Sequence, residues 1–188
     1  VKGVIMTIPS HARAVIIGGG VIGCSIAYHL GKLGWKDVIL LERKQLTCGT
    51  TWHAAGLVGQ LRSQPAMTNL IRYSTQLYEQ LNSETGLETG WKECGSVTVA
   101  RSDDRMKMLQ RTAAAARAQG VDVDVITGAE AQEKWPIMQV EDVKGGLWMP
   151  GDGKANPTDL TQSLAKGARM KGANIIEDVK VTDILTKE

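Results

Sequence analysis

The stretch Gly18-Gly19-Gly20-Val21-Ile22-Gly23 decides the fold, because it matches the pattern GxGxxG and stands between a predicted strand and a predicted helix. The apolar run 14–18 precedes it, helical apolar spacing over 21–33 follows it, and a second apolar run, 37–42, ends at Glu42. Strand, glycine turn, helix and strand in this order form a βαβ unit with parallel strands. Both strands are predicted to be buried, as strands of parallel sheets usually are.

Each glycine of the motif has a physical reason. Gly18 permits the tight turn, Gly20 lets the backbone approach a pyrophosphate, and Gly23 lets the helix pack closely on the strand. The helix N-terminus offers free N–H groups and partial positive charge to that pyrophosphate. Glu42 then stands where a carboxylate can accept hydrogen bonds from ribose hydroxyls. A structural glycine turn is the simpler alternative, but the register favours a dinucleotide site, for NAD or FAD.

Composition excludes several other classes. Hydrophobic residues make up 43% and charged residues 22%, which is ordinary for a globular chain that buries a core. A net charge of +2 gives no electrostatic case for nucleic acid. Three scattered cysteines indicate neither a disulfide framework nor a metal site. We find no apolar run long enough to span a membrane, and residues 1–10, a short leader, lack a signal-peptide or other targeting pattern.

Apolar periodicity and capping residues predict the other elements. A capping box at Thr127 and Glu130 should open a short helix that Pro136 closes, and Asn156 should cap a later helix. Residues 47–62 are predicted to be a loop with one helical turn at its end. The predicted helices are 65–85, 103–119 and 156–171, and the predicted strands are 96–100, 121–126, 147–149, 173–176 and 180–185. Helix 65–85 should turn one apolar face inward, formed by Met67, Leu70, Ile71, Leu77, Tyr78 and Leu81.

The segment after Glu42 indicates which of the two dinucleotides, NAD or FAD, is expected to bind. Residues 49–57 are small residues and glycines around a Trp-His pair. Such a loop can run along a pyrophosphate towards a flavin, whereas a simple NAD domain usually enters a helix at this point. The segment therefore favours FAD over a nicotinamide cofactor.

The sequence resembles the D-amino-acid-oxidase-type flavoproteins, in particular the sarcosine and dimethylglycine dehydrogenase group. The resemblance covers essentially all of 14–185, and its most specific part is Trp52-His-Ala-Ala-Gly56. The other blocks that carry it are Leu40-Leu-Glu-Arg43, Leu46-Thr-Cys-Gly-Thr-Thr51, Glu84-Thr-Gly86, Gly95-Ser-Val97 and Pro150-Gly-Asp-Gly153.

The resemblance implies particular roles for residues of this chain. His53 would carry FAD covalently through the flavin 8α carbon, Trp52 could touch the isoalloxazine, and the backbone of Val181 would hold the adenine. The simpler interpretations are an exposed or hydrogen-bonded loop histidine and an ordinary strand valine. The complete predicted cofactor set is Gly18, Gly20, Val21, Ile22, Gly23, Glu42, Arg43, Gly49, Thr50, Thr51, Trp52, His53, Ala54, Ala55, Gly56, Leu57 and Val181. No catalytic residue and no metal ligand is assigned. Solvated helix-end charges explain Arg62 and Arg72 as well as a functional role does.

The implied fold is α/β, a Rossmann-like FAD-binding βαβ core with an inserted partial α+β substrate domain. Residues 10–85 and 151–188 would form the incomplete cofactor domain, and 86–150 the first part of the substrate domain. The chain would be an N-terminal fragment of a longer enzyme, inactive alone.

The implied reaction is oxidative N-demethylation of a small N-methyl amino acid, sarcosine or dimethylglycine. A hydride would pass from the N-methyl carbon to FAD, and the product would give formaldehyde or, with tetrahydrofolate, a methylene-folate. The partners would be the amine and an electron acceptor such as an electron-transfer flavoprotein or oxygen. The location would be cytoplasmic in a bacterium and the mitochondrial matrix in a eukaryote. A non-catalytic regulatory subunit of the same fold and a pyridine-nucleotide dehydrogenase are the alternatives.

Overall fold

The computed structural model describes residues 8–186, so most of the leader and residues 187–188 of the predicted cofactor segment lie outside the described residues. The helices are α1 (Val21–Lys32), α2 (Pro65–Thr85), α3 (Asp103–Ala118), α4 (Gly128–Lys134) and α5 (Pro157–Met170). The strands are β1 (Ala14–Ile17), β2 (Val38–Leu41), β3 (Leu57–Val58), β4 (Lys92–Glu93), β5 (Ser96–Ala100), β6 (Asp124–Ile126), β7 (Gly145–Met149), β8 (Gly153–Lys154) and β9 (Asn174–Ile176). The α/β fold class is confirmed.

The chain divides into two compact units. The first contains the described residues up to Gly56, then Tyr78–Gly90 and Asn156 onwards, and the second contains Leu57–Leu77 and Trp91–Ala155. This division differs from the predicted domain boundaries, because β8 pairs with both β3 and β4 and so joins residues 57–58 and 153–154 to the second unit. The assignment of cofactor and substrate roles to the parts of the chain stays a prediction.

The first unit is built on a parallel sheet in the order β1-β2-β9. Its register pairs Ala14 with Val38 and Ile39 with Asn174, which confirms the predicted βαβ unit. β2 is buried as predicted, but Val15 and Ile17 of β1 are 54% and 55% exposed, so the prediction that β1 is wholly buried was wrong. Among the described strands, only β2 pairs with β1.

Helices α1 and α5 pack against each other within the first unit, and the C-terminal end of α2 joins them. Gly167 leaves room for the Tyr28 ring, because a Cβ there would stand 2.8 Å from two ring carbons. Tyr28 Oη donates to Glu84 Oε2 at 2.5 Å, and Lys171 forms an ion pair with the same carboxylate. This contact ties the three helices together through one half-buried charge.

The second unit has two small antiparallel sheets, in the orders β3-β8-β4 and β5-β7-β6. Helix α3 presents Leu109, Ala113 and Ala116 to a core that also contains Leu147 and Met149. The Thr127–Glu130 capping box and the Asn156 cap are both present, as predicted. Among the described residues, none of the helices is long and apolar enough to cross a membrane.

Several predictions of local structure were wrong. No strand forms over 180–185, because a strand needs a hydrogen-bonded neighbour and none of the described strands pairs with this segment. The helical turn of the 47–62 loop lies in its middle, at Thr51–His53, and β3 follows it. Helix α2 has its predicted bounds, but Met67 and Leu70 are exposed while Thr68 and Thr75 are buried. The two-residue strands β3, β4 and β8 were not predicted.

Candidate functional site

The glycine turn has the predicted shape. Gly18 follows β1 with φ +108°, a backbone conformation that favours glycine, and its N–H donates to the Leu41 carbonyl at 2.8 Å. A Cβ on Gly23 would overlap the carbonyl oxygen of Gly18, so this glycine does allow close packing of α1 on the turn. A Cβ on Gly20 would meet only Thr51 Oγ1, at 3.0 Å, so the backbone there is otherwise open.

Glu42 stands just after β2, beside the turn. Its Oε2 accepts from the Gly19 N–H at 2.7 Å, and its Oε1 accepts from the Lys44 N–H at 2.9 Å. Burial by itself would raise the pKa of Glu42, but the two backbone donors, helped by the charge of Arg43 and the Cys48 thiol, hold the pKa below its ordinary value. The carboxylate is therefore ionised and oriented without any cofactor.

The donors to Glu42 are residues that motif reasoning left unassigned. Gly19 occupies a free position of GxGxxG, and its carbonyl also accepts from the Thr47 N–H at 3.1 Å. Thr47 has φ +72°, which is costly for a β-branched residue and persists because the surrounding contacts impose it. The sequence contains no local signal for these contacts, since they join the turn to a loop of irregular backbone.

Thr51 links the following loop to the start of α1. Gly20 caps the helix without a side-chain bond, and the Val21 N–H donates instead to Thr51 Oγ1 at 3.0 Å. Thr51 is buried, while Ile22 next to Val21 is 74% exposed. The N-terminus of α1 is thus exposed on the side of Ile22, and on the other side the Thr51 hydroxyl accepts its first N–H.

The Trp-His pair lies on the single 3-10 turn Thr51–His53. Both rings are exposed, their centroids are 3.8 Å apart and their planes are inclined by 34°. His53 Nδ1 is 3.1 Å from the Gly49 carbonyl oxygen, a bond that requires the proton on Nδ1. Of the other predicted residues here, Arg43, Gly49, Thr50, Ala54 and Ala55 are exposed and Gly56 is half-buried.

The last two predicted residues lie further from the turn in sequence. Leu57 begins β3 and belongs to the second unit. Val181 lies beyond β9, two residues after Val179, whose N–H donates to the Glu42 carbonyl at 2.8 Å. Glu177 accepts from the Leu46 N–H at 2.6 Å, so this segment is tied to the same loop as Glu42. The adenine role of Val181 stays a prediction.

Among the described residues the other reactive side chains add no reactive group to this cluster, although Cys24 Sγ donates to the Gly19 carbonyl at 3.7 Å. Burial raises the pKa of Cys24 to about 12, so its thiol is neutral although it stands in the first turn of α1. His29 bonds to the Ser25 carbonyl one turn earlier in the same helix. Over residues 8–186 no three His, Cys, Asp or Glu side chains are grouped so as to hold a metal ion.

Comparison with known proteins identifies relatives of the whole described chain. A family model, FAD dependent oxidoreductase, matches residues 13–188. The chain is 40% identical over 178 residues to sarcosine dehydrogenase, mitochondrial, of Homo sapiens, an alignment that covers 94% of this chain and 19% of that protein. It is 42% identical to the formaldehyde-forming 4-methylaminobutanoate oxidase of Paenarthrobacter nicotinovorans, with 95% of this chain and 22% of that protein covered.

Dimethylglycine dehydrogenase, mitochondrial, of Homo sapiens is 39% identical over 174 residues, which are 93% of this chain and 20% of that protein. The chain therefore spans about a fifth of the length of these relatives. A crystal structure of L-proline dehydrogenase from P. horikoshii superimposes with a TM-score of 0.89 at 28% identity, covering 96% of this chain and 47% of that one.

Proposed function

The chain belongs to the FAD-dependent oxidoreductase family, and we propose on that premise that it forms the FAD-binding part of an enzyme oxidising a small N-methyl amino acid. Sarcosine and dimethylglycine are the proposed substrates, because relatives named for those substrates match almost all of this chain. The single observation that carries the proposal is the cluster in the first unit, where a glycine turn, an oriented acidic residue and an exposed histidine turn adjoin one another.

The residues of this cluster fit the nucleotide half of FAD. The turn is open at Gly18, where an added Cβ would meet nothing within 4 Å. The exposed N-terminus of α1 suits a pyrophosphate, although its Val21 N–H already donates to Thr51 Oγ1, and the fixed carboxylate of Glu42 suits ribose hydroxyls. Oε1 accepts from the Lys44 N–H and the Cys48 thiol, and Oε2 accepts from the Gly19 N–H, so the carboxylate is already fixed and Oε2 keeps a lone pair for a ligand.

His53 is the proposed point of covalent attachment. With its proton on Nδ1 and held by the Gly49 carbonyl, the ring has Nε2 as its free nucleophilic nitrogen. Both the ring and its loop are exposed, so Nε2 can reach a ligand without the core being opened. We therefore propose a bond between His53 Nε2 and the flavin 8α carbon.

When bound, FAD supplies the acceptor for a hydride from the N-methyl carbon of the amine. The oxidised amine would be hydrolysed to formaldehyde or captured by tetrahydrofolate, and an electron-transfer flavoprotein or oxygen would remove the electrons. This chain's own residues bind and orient the cofactor, and none of them is assigned as a catalytic acid or base. The mitochondrial relatives support a mitochondrial matrix location in a eukaryote, with the cytoplasm as the bacterial counterpart.

Anaerobic titration of the full-length protein tests the reaction. Sarcosine or dimethylglycine should bleach the flavin absorbance, whereas trimethylglycine should not, because its nitrogen has no lone pair to stabilise loss of a hydride. A protein that is purified without flavin and binds none would fit the non-catalytic regulatory alternative. Flavin that neither sarcosine nor dimethylglycine reduces would contradict the proposed substrates.

A further inference from the structure

Trp52 is an unusual residue for an exposed loop. Its side chain is 58% exposed, so packing into the core does not account for a large indole at this position. Its closest aromatic neighbour is the His53 ring, at 3.8 Å between centroids and 34° between planes. That geometry is a tilted stack in direct contact, closer than the roughly 4.5–7 Å between centroids that is usual for aromatic pairs.

Three further contacts hold the same turn. The His53 N–H donates to the Thr50 carbonyl at 3.2 Å, and Thr51 Oγ1 is bound to the Val21 N–H, so the backbone of the turn is anchored. The imidazole itself has one hydrogen bond, through Nδ1 to Gly49, about which an exposed ring could still swing. The indole face closes one side of the ring and so restricts this movement on that side.

We propose that Trp52 is a positioning residue for cofactor attachment: its indole holds the His53 imidazole so that Nε2 faces the flavin 8α carbon. This inference rests on the proposed attachment at His53. In this inference Trp52 acts on the His53 ring and does not contact the flavin ring directly.

His53 Nε2 forms a bond to the 8α carbon, and one C–H bond of that carbon breaks. The proton from that carbon and the Nδ1 proton of His53 leave to solvent. The two electrons of the broken bond remain on the flavin until dioxygen takes them with two protons, which gives hydrogen peroxide. An imidazole held in place lowers the entropy lost on reaching this geometry, and poor alignment of a reacting group commonly slows a reaction about a hundredfold.

The experiment follows formation of acid-stable flavin in apo full-length protein after FAD is added, by fluorescence of the denatured protein on a gel. The variants are Trp52→Leu, Trp52→Phe and, as a matched control, Trp135→Leu, since Trp135 is 56% exposed but belongs to the second unit. Non-covalent FAD affinity is measured separately in a His53→Ala background, with and without Trp52→Leu.

We expect Trp52→Leu to slow attachment by roughly tenfold or more, Trp52→Phe to restore much of the rate, and Trp135→Leu to match the unaltered protein. In the His53→Ala background, Trp52→Leu should weaken FAD binding far less than it slows attachment, because no imidazole remains to be positioned.

Attachment by Trp52→Leu at the unaltered rate would overturn the inference. So would a loss of FAD affinity in the His53→Ala background as large as the loss of attachment rate, because the indole would then act on the flavin directly. If the unaltered protein binds FAD but never links it, the proposed attachment itself is wrong. That failure is seen in the protein that carries no Trp52 substitution, so it is distinguished from a failure of the inference about Trp52.

Discussion

Replacing Gly23 by alanine tests the packing of the glycine turn. The new Cβ would stand 3.2 Å from the Gly18 carbonyl carbon, closer still to its oxygen, and 3.4 Å from Ile16 Cγ2. The closest atoms are backbone atoms, which cannot rotate away. We therefore expect a cost of about 2–3 kcal/mol, the upper part of the usual range of about 1–3 kcal/mol for overpacking. Alanine regains about 1 kcal/mol of helix propensity. The net loss is about 1–2 kcal/mol, or roughly 2–8 °C in Tm for a chain of this size.

Thermal and urea unfolding followed by circular dichroism measure this loss. Gly49→Ala is the matched control, because a Cβ there would meet nothing within 4 Å and its φ is not positive. The control should remain within about 0.5 kcal/mol of the unaltered protein. A Gly23→Ala variant that unfolds at the same temperature or higher would refute the packing argument.

Two further predictions concern the first unit, and a third concerns residues 1–188 as a whole. His53→Ala should abolish acid-stable flavin while leaving the fold intact, because the residue lies on an exposed loop; unchanged flavin after acid precipitation would contradict this. Burial would raise the pKa of Glu84, but bonds from Lys171 and Tyr28 outweigh it and lower the pKa. The stability that Glu84 adds over Glu84→Gln should therefore be fully present at about pH 7 and be lost only as the pH falls below about 4, where the carboxylate takes up a proton; urea unfolding that shows a pH-independent difference would count against the ion pair. Residues 1–188 alone should bind FAD weakly and oxidise neither sarcosine nor dimethylglycine, and turnover near the full-length rate would show that this stretch holds a complete site.

The parts of the fold that the sequence predicted are those with local causes. The βαβ unit follows from two apolar runs around a glycine turn, and α5 begins where Asn156 caps it. The parts it missed depend on partners far along the chain. Two-residue strands such as β8 have no periodicity of their own, and the boundary between the units falls within the continuous helix α2, where no linker composition marks it. The absent strand at 180–185 shows that apolar alternation does not form a strand without a neighbour.

The site divides in the same way. Gly18, Gly23 and Glu42 were found from motif spacing, and the geometry expected of them is present. Gly19 and Lys44 were missed because their contribution is a backbone N–H, which every residue but proline has and which a sequence motif does not mark. The tie between Thr51 and the start of α1 likewise appears only once the loop is folded. Contacts that follow from residue type and motif spacing were therefore predictable, and contacts made by backbone groups outside the motif were not.

The most direct test of the account is to map flavin on the full-length protein. The protein is precipitated with acid, washed free of unbound cofactor, digested with a protease and analysed by mass spectrometry for flavin-bearing peptides. The account predicts yellow precipitate and a single flavin-bearing peptide, with the modification on His53. Flavin on a different residue, or a colourless precipitate from a preparation that was yellow before acid, would contradict it.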